Sequence, residues 1–145
     1  MSTEENKAVL RRNCEEVFNK GDLAVADETI ANNYVYHGSG GQEFKGPEGF
    51  KQMVTMFRTA FPDFHMKIDD MVAVGDKMAH RLTGRGTHKG DFMGIAPTGK
   101  QVTVSAITIS RFAGGKEVEA WSSMDMLTLY QQLGVSPPMG QGGKK

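Results

Sequence analysis

Apolar residues recur at helical spacing in the first part of the chain, and at every second position through most of the rest. Leu10, Cys14, Val17 and Phe18 form one stripe, with Arg11, Arg12, Glu15 and Glu16 outside it, which predicts an opening helix. Ser2 and Glu5 have capping-box spacing at its start. Gly21 and Asp22 in Asn19-Lys20-Gly21-Asp22 stop this helix and cap a short second one from Leu23 to Ile30. Gly46-Pro47-Glu48 opens a third, whose face carries Phe50, Met53, Val54, Phe57 and Phe61 before Pro62 ends it. Met126, Leu129, Tyr130 and Leu133 predict a last helix, closed by Gly134.

Between these helices the period falls to two. Tyr34 to His37 is β-prone and ends in the turn-rich Gly38-Ser39-Gly40-Gly41. Phe64, Met66 and Ile68 alternate with His65, Lys67 and Asp69, and the strand continues to Val74. A Gly75-Asp76 turn leads to an antiparallel partner, Met78 to Arg85. A glycine-rich loop from Gly86 to Gly99 precedes the long run Val102 to Phe112, and Ala113 to Lys116 turns it into a closing strand, Glu117 to Ser123. No βαβ rhythm and no internal repeat is visible. The order predicts an α+β domain with helices packed on one side of a curved, mostly antiparallel sheet. Residues 1–135 form that one domain, and 136–145, with Pro137-Pro138 and a glycine-lysine run, read as a flexible tail.

The length of 145 residues suits one domain with a sizeable core. Seventeen basic residues balance 17 acidic ones, and the absence of a basic patch argues against a nucleic-acid partner. The polar, acidic start does not read as a secretory signal, and no apolar run is long enough to span a membrane. Cys14 is the single cysteine, so no intrachain disulfide forms and a cytoplasmic setting is expected. Its place on the apolar stripe predicts packing rather than reactivity.

Two glycine patterns are turns. Gly94 to Lys100 has the glycine spacing of a phosphate loop, but Gln101 follows where a magnesium-binding hydroxyl is needed, and a strand follows where a helix is needed. Gly84-Arg85-Gly86 lacks a third glycine for a dinucleotide fingerprint. His37, His65, His80 and His88 lie on separate elements without ligand-pair spacing, so no metal is expected. His37 and His88 end strands beside glycine loops, where they could line a cavity mouth or lie on the surface. Ten methionines suit an adaptable core, or an apolar pocket for a bulky ligand. Arg81 and Arg85 share strand parity; a buried arginine beside an acid would point to epoxide-hydrolase chemistry.

The strand-to-helix join near the end carries the remaining candidate. Asp125 follows Trp121, the one tryptophan, by four residues and precedes an apolar helical run. As a helix cap it would accept a backbone N–H, which lowers its pKa. As a catalytic base it would sit dry, with its pKa raised. Ser122 and Ser123 are competing caps that would free it.

Five segments then occur in order: Phe61-Pro62-Asp63-Phe64-His65, Gly86-Thr87-His88-Lys89-Gly90, Ala96-Pro97-Thr98-Gly99-Lys100, Gly115 to Trp121 with Asp125, and Gln131-Gln132-Leu133-Gly134. This set resembles the SnoaL-like polyketide cyclases, or ester cyclases, of the NTF2-like superfamily, from the first helix to Gly134. The resemblance implies a cone-shaped barrel, its curved sheet wrapped around N-terminal helices with an internal pocket, and frequent homodimers packed through the sheets. It implies intramolecular aldol ring closure without cofactor, on an apolar substrate. Asp125 matches the family's general acid/base. Trp121, His37, His88, Phe57 and Phe61 are the expected substrate-binding residues. Related folds also host isomerases, epoxide hydrolases and non-catalytic small-molecule-binding modules. The family's aspartate works beside a polar partner, often histidine, and the adjacent strand here offers Thr108 and Ser110.

Overall fold

The computed structural model describes residues 3–136, so the Ser2 capping box and nearly all of the expected tail lie outside the described residues. The chain runs through helix α1 (Thr3–Arg12), a π-helical stretch (Asn13–Asn19), a 3-10 turn (Leu23–Val25) and the single turn α2 (Ala26–Thr29). Strands β1 (Ile30–His37) and β2 (Glu43–Lys45) lead to α3 (Gly46–Ala60). Four long strands follow: β3 (His65–Val74), β4 (Lys77–Thr87), β5 (Gln101–Ala113) and β6 (Lys116–Met124), before α4 (Met126–Leu133).

The six strands form one sheet in the order β2-β1-β6-β5-β4-β3. Every pairing is antiparallel except β1 with β6. The expected α+β architecture, a curved and mostly antiparallel sheet with helices on one face, is therefore present. Alternation along β4 and β5 decides which face is covered. Met78, His80, Leu82, Val104, Thr108, Ser110 and Phe112 are buried beneath the helices, while Arg81, Arg85, Ile107 and Ile109 face outward. Phe18, Phe50, Phe57, Phe61, Phe64 and Phe92 form an interlocking aromatic group between α3 and the sheet.

Four local features differ from the periodicity. The opening helix widens into a π-helix at Asn13, and the second helix shrinks to a 3-10 turn and one α-turn because Ile30 already begins β1. Strand β2 is too short for a pattern of its own. On β6 a bulge places an extra residue between Glu119, opposite Arg111, and Glu117, opposite Phe112. A bulge reverses the facing of everything beyond it. Glu117, which strict alternation puts on the same face as Trp121, is turned into the interior and is 4% exposed.

Candidate active site

The bulge brings a carboxyl group into the space between the sheet and the first helical segments. There a small cavity of ≈ 80 Å³ is lined largely by apolar side chains, with Asn13, His80, Thr108, Glu117, Ser122 and the hydroxyl-bearing Tyr34 and Tyr36 among its lining residues. A larger outer cavity of ≈ 620 Å³ lies beside it, lined by Phe92 and by Met56, Met93 and Met126 among others. Tyr36, Met53, Phe57 and Met124 line both, so the two spaces adjoin. Methionines at that junction can repack around ligands of different outline.

Glu117 is held at both oxygens. The Asn13 amide Nδ2 donates to Oε1 at 3.0 Å, and the Ser110 hydroxyl donates to Oε2 at 2.7 Å. Thr29 Oγ1 donates to Asn13 Oδ1, which fixes the amide so that its NH2 faces the carboxylate. On the other side, Ser110 Oγ lies 3.1 Å from His80 Nε2. His80 Nδ1 is buried and has no protein partner. A continuous line of polar atoms thus runs from Thr29 through Asn13, Glu117 and Ser110 to His80.

The same burial moves the two titratable ends of this line in opposite directions. Desolvation penalises the charged form of each. It pushes Glu117 up to about 7, against the lowering effect of the Ser110 and Asn13 hydrogen bonds. It brings His80 down to about 4, so the imidazole is neutral near pH 7. Cys14, whose Sγ donates to the Met66 carbonyl at 3.3 Å, is pushed up to about 12 and packs as a small apolar group. Tyr34 and Tyr36 are also raised by burial. A buried carboxyl poised near neutrality beside a largely apolar cavity is the arrangement a general acid/base needs.

Asp125 is elsewhere. It is the N-cap of α4, accepting the Thr128 N–H at 3.1 Å and the Thr128 hydroxyl at 2.7 Å. It is exposed, and those bonds, the hydroxyl first, lower its pKa. The expectation of Asp125 as a dry general base is corrected on this geometry: a carboxylate satisfied by capping donors in water is a poor base near neutrality. Neither Ser122 nor Ser123 takes over the cap; Ser122 Oγ instead accepts from Thr108 at 3.1 Å.

The other expected substrate-binding residues divide. Phe57 lines both the inner and the outer cavity, while Phe61 is a buried core residue bordering a third, ≈ 30 Å³ space. Trp121 lies on the open face of the sheet, 39% exposed, and stacks on His37 with centroids 5.6 Å apart. His37 bridges Glu119 at 2.8 Å and Glu43 at 3.3 Å on that same face. Trp121 and His37 are therefore removed from the inner cavity, because they sit at outward positions of paired strands. His88 is fully buried rather than at a mouth. Its Nδ1 accepts the Thr98 N–H at 3.2 Å, and its ring lies 5.4 Å from that of Phe61, so it pins the loop between β4 and β5. Arg81 is exposed and paired with Asp69 at 3.7 Å, which removes the buried arginine that the epoxide-hydrolase alternative requires. Among the described residues, no three His, Cys, Asp or Glu side chains gather as a metal site would require.

A helix-covered, curved and mostly antiparallel sheet with an ionisable group in an apolar interior defines an α+β fold with an internal cavity. The model of the SnoaL-like polyketide cyclase family matches residues 8–133, and the chain belongs to that family. Aklanonic acid methyl ester cyclase DauD from Streptomyces sp. (strain C5) is 29% identical over 136 residues, spanning 92% of this chain and 84% of that protein. Among solved structures, wild-type IdmH from Streptomyces antibioticus is 33% identical with a TM-score of 0.78, covering 90% of this chain and 99% of its own. TsrD from Streptomyces laurentii is 25% identical with a TM-score of 0.85, covering 94% and 99%.

Proposed function

We propose that the protein is a cofactor-free cyclase that closes a ring on a polyketide-like ester by intramolecular aldol condensation, with Glu117 as its acid/base. The observation that carries this reading is a carboxyl group with its pKa near 7, fully buried at the wall of an apolar cavity. Family membership and the similarity to an aklanonic acid methyl ester cyclase give the reaction class. Glu117 accepts a proton from a carbon flanked by carbonyl groups. The bond electrons remain as an enolate, which attacks a second carbonyl of the same molecule; the alkoxide so formed takes the proton back.

The cavity supplies the rest. Its outer chamber falls in the ~300–1,000 Å³ range that holds drug-sized ligands, whereas the inner one does not. The bulk of the substrate therefore occupies the methionine-lined chamber, with its reacting end in the inner cavity that Glu117 borders. Folding the chain in that space brings the two carbons together and excludes water. The open face of the sheet, where Ile107, Ile109 and Trp121 are exposed, suits pairing with a second copy, which sedimentation of the purified protein tests.

Incubation with aklanonic acid methyl ester, followed by chromatography of the product, tests the reading. Glu117→Gln should lower turnover by ~10²–10⁴-fold, the usual contribution of a positioned acid/base. Asp125→Asn should leave turnover within a few-fold of the parent. Full activity in Glu117→Gln would sink the assignment of the base. Tight binding of the ester without turnover in the parent protein would make this a binding module instead.

A further inference from the structure

The mechanism just given uses Glu117 and leaves the far end of its hydrogen-bonded line unexplained. His80 is 6% exposed and lines the inner cavity, and its Nδ1 is buried without a partner. A buried, unpaired ring nitrogen is unfavourable, because it has given up water without gaining a hydrogen-bond partner. Asn6 Oδ1 and His88 Nε2 are also buried without a partner, but of the three residues only His80 lines the inner cavity, where a ligand can reach it.

The proton positions along the line follow from its chemistry. Asn13 Nδ2 is a donor only, and it occupies Glu117 Oε1. Any proton on the carboxyl is therefore directed to Oε2, the oxygen facing Ser110. With Glu117 ionised, the Ser110 hydroxyl gives its one proton to Oε2 and must accept from His80 Nε2–H. His80 Nδ1 is then a bare lone pair. With Glu117 protonated, Oε2–H donates to Ser110, Ser110 donates to Nε2, and the ring proton moves to Nδ1. One line of three residues has two arrangements, and they present opposite polarity at Nδ1.

We infer that His80, Ser110 and Glu117 form a proton relay in which His80 Nδ1 is the catalytic atom that meets the substrate, at a hydroxyl or an enolisable C–H. This rests on the pocket-enzyme reading above and names the group that touches the reacting atoms. In the forward step the substrate X–H bond breaks and Nδ1–H forms, its electron pair staying on the substrate. The Nε2 proton passes to Ser110 Oγ, and the Ser110 proton passes to Glu117 Oε2. One proton has moved from substrate to carboxylate, and one negative charge has moved the other way. The new Nδ1–H then hydrogen-bonds the enolate oxygen or the alkoxide, and the reverse shift returns the proton when the ring has closed.

Two features favour the relay over direct proton capture by an isolated imidazole. Burial sets the carboxyl near 7 and the imidazole near 4, so the proton passes downhill to Glu117 and no imidazolium accumulates in the dry cavity. The groups around the line leave Glu117 as the member that changes charge near neutrality. Cys14 from the π-helical stretch and Tyr34 and Tyr36 from β1 are all raised by burial, while Thr29 from α2 and Thr108 from β5 do not ionise. The substrate class sharpens accordingly: a bulky apolar body for the outer chamber, bearing a hydroxyl or enolisable end that can donate to Nδ1.

Nitrogen-15 NMR of the histidine rings reads the relay without any substrate. The chain has four histidines, and His80→Phe identifies the signal by its loss. The full-length protein should show His80 as the Nε2–H tautomer at about pH 8.5 and as the Nδ1–H tautomer at about pH 5.5, since a neutral imidazole carries one ring proton. Ser110→Ala should abolish that change, and Glu117→Gln should hold one tautomer across the range. A single tautomer at both pH values in the parent protein overturns the relay, and so does a switch that persists in either variant. A switch without turnover of the ester leaves the relay standing and removes the cyclase reading. Turnover that depends on Glu117, with no switch, does the reverse.

Discussion

At the residue scale, Asp125 and Glu117 differ in environment in a way that the sequence does not show: one is an exposed helix cap, the other a buried carboxyl. Asp125 precedes an apolar helical run, and capping accounts for its whole environment. Asp125→Ala should lower the midpoint of urea denaturation, while Asp125→Asn, an equally good cap, should be close to neutral. Glu117 carries the opposite signature, and its raised pKa has a definite consequence for stability. The folded state keeps its proton up to about 7, whereas an ordinary glutamate carboxyl, at 4.5, releases it earlier in the unfolded chain. The unfolded state therefore binds fewer protons between these values, and the Glu117 contribution to stability falls as pH rises through this window. The size is about 3 kcal/mol at 1.36 kcal/mol per pH unit. His80 acts oppositely, with a folded pKa of about 4 against 6.5, adding stability as pH rises over that lower range. Glu117→Gln should thus gain on the parent protein in thermal midpoint between about pH 5 and pH 8. A constant difference across that range would contradict burial of an ionisable Glu117.

At the element scale, the bulge on β6 and the π-helical stretch explain why the sequence shows the helices and strands yet hides the site. Helical spacing from Phe50 to Phe57 and alternation through β4 and β5 have ordinary periods, so those elements were legible. Strict alternation, carried through Val118, turns Glu117 outward; the inserted residue reverses it, and nothing in the local composition announces the reversal. The π-helix similarly places Asn13 and Cys14 against the cavity, where a regular period shows only an apolar stripe. Ser110 stands in the sequence as a polar residue on the strand beside the last one, but its hydrogen-bond partners His80 and Glu117 are brought to it only by the fold. The loop after β4 gives an element-scale test. Lys89 and Gly90 donate their backbone N–H groups to the Ala60 carbonyl at 2.9 and 3.1 Å, docking the loop on the end of α3. A Cβ on Gly90 would collide with the Thr59 carbonyl oxygen, which is backbone and cannot step aside cheaply. Gly90→Ala should cost about 1–3 kcal/mol in denaturant, the usual range for forced overpacking, and loosen the His88–Phe61 contact.

At the scale of the whole molecule, the five ordered segments identified the family because they mark turns and strand ends that any cone of this type must make. They did not point to the buried carboxyl of Glu117, because the match at Asp125 falls on a helix cap and Glu117 reaches the interior through the bulge. The methionine content makes better sense at this scale. Met53 and Met124 stand where the inner and outer cavities adjoin, and Met56, Met93 and Met126 line the outer one. Phe57 shares that junction, and Phe57→Ala should weaken binding of a bulky ester by about tenfold or more, through lost apolar contact of ~1.5–3 kcal/mol, with ligand titration as the measure. Unchanged affinity would place the substrate outside these chambers.

The most direct measurement is the titration of the Glu117 side-chain carboxyl by carbon-13 NMR in the full-length protein, with Glu117→Gln identifying the resonance. A midpoint near the value of about 7 set by burial is the predicted result, and it should fall back when the site is occupied by a ligand that must be deprotonated. A midpoint close to the ordinary 4.5 would show that Glu117 is solvated and ionised at neutral pH, and would remove it as the acid/base of this pocket.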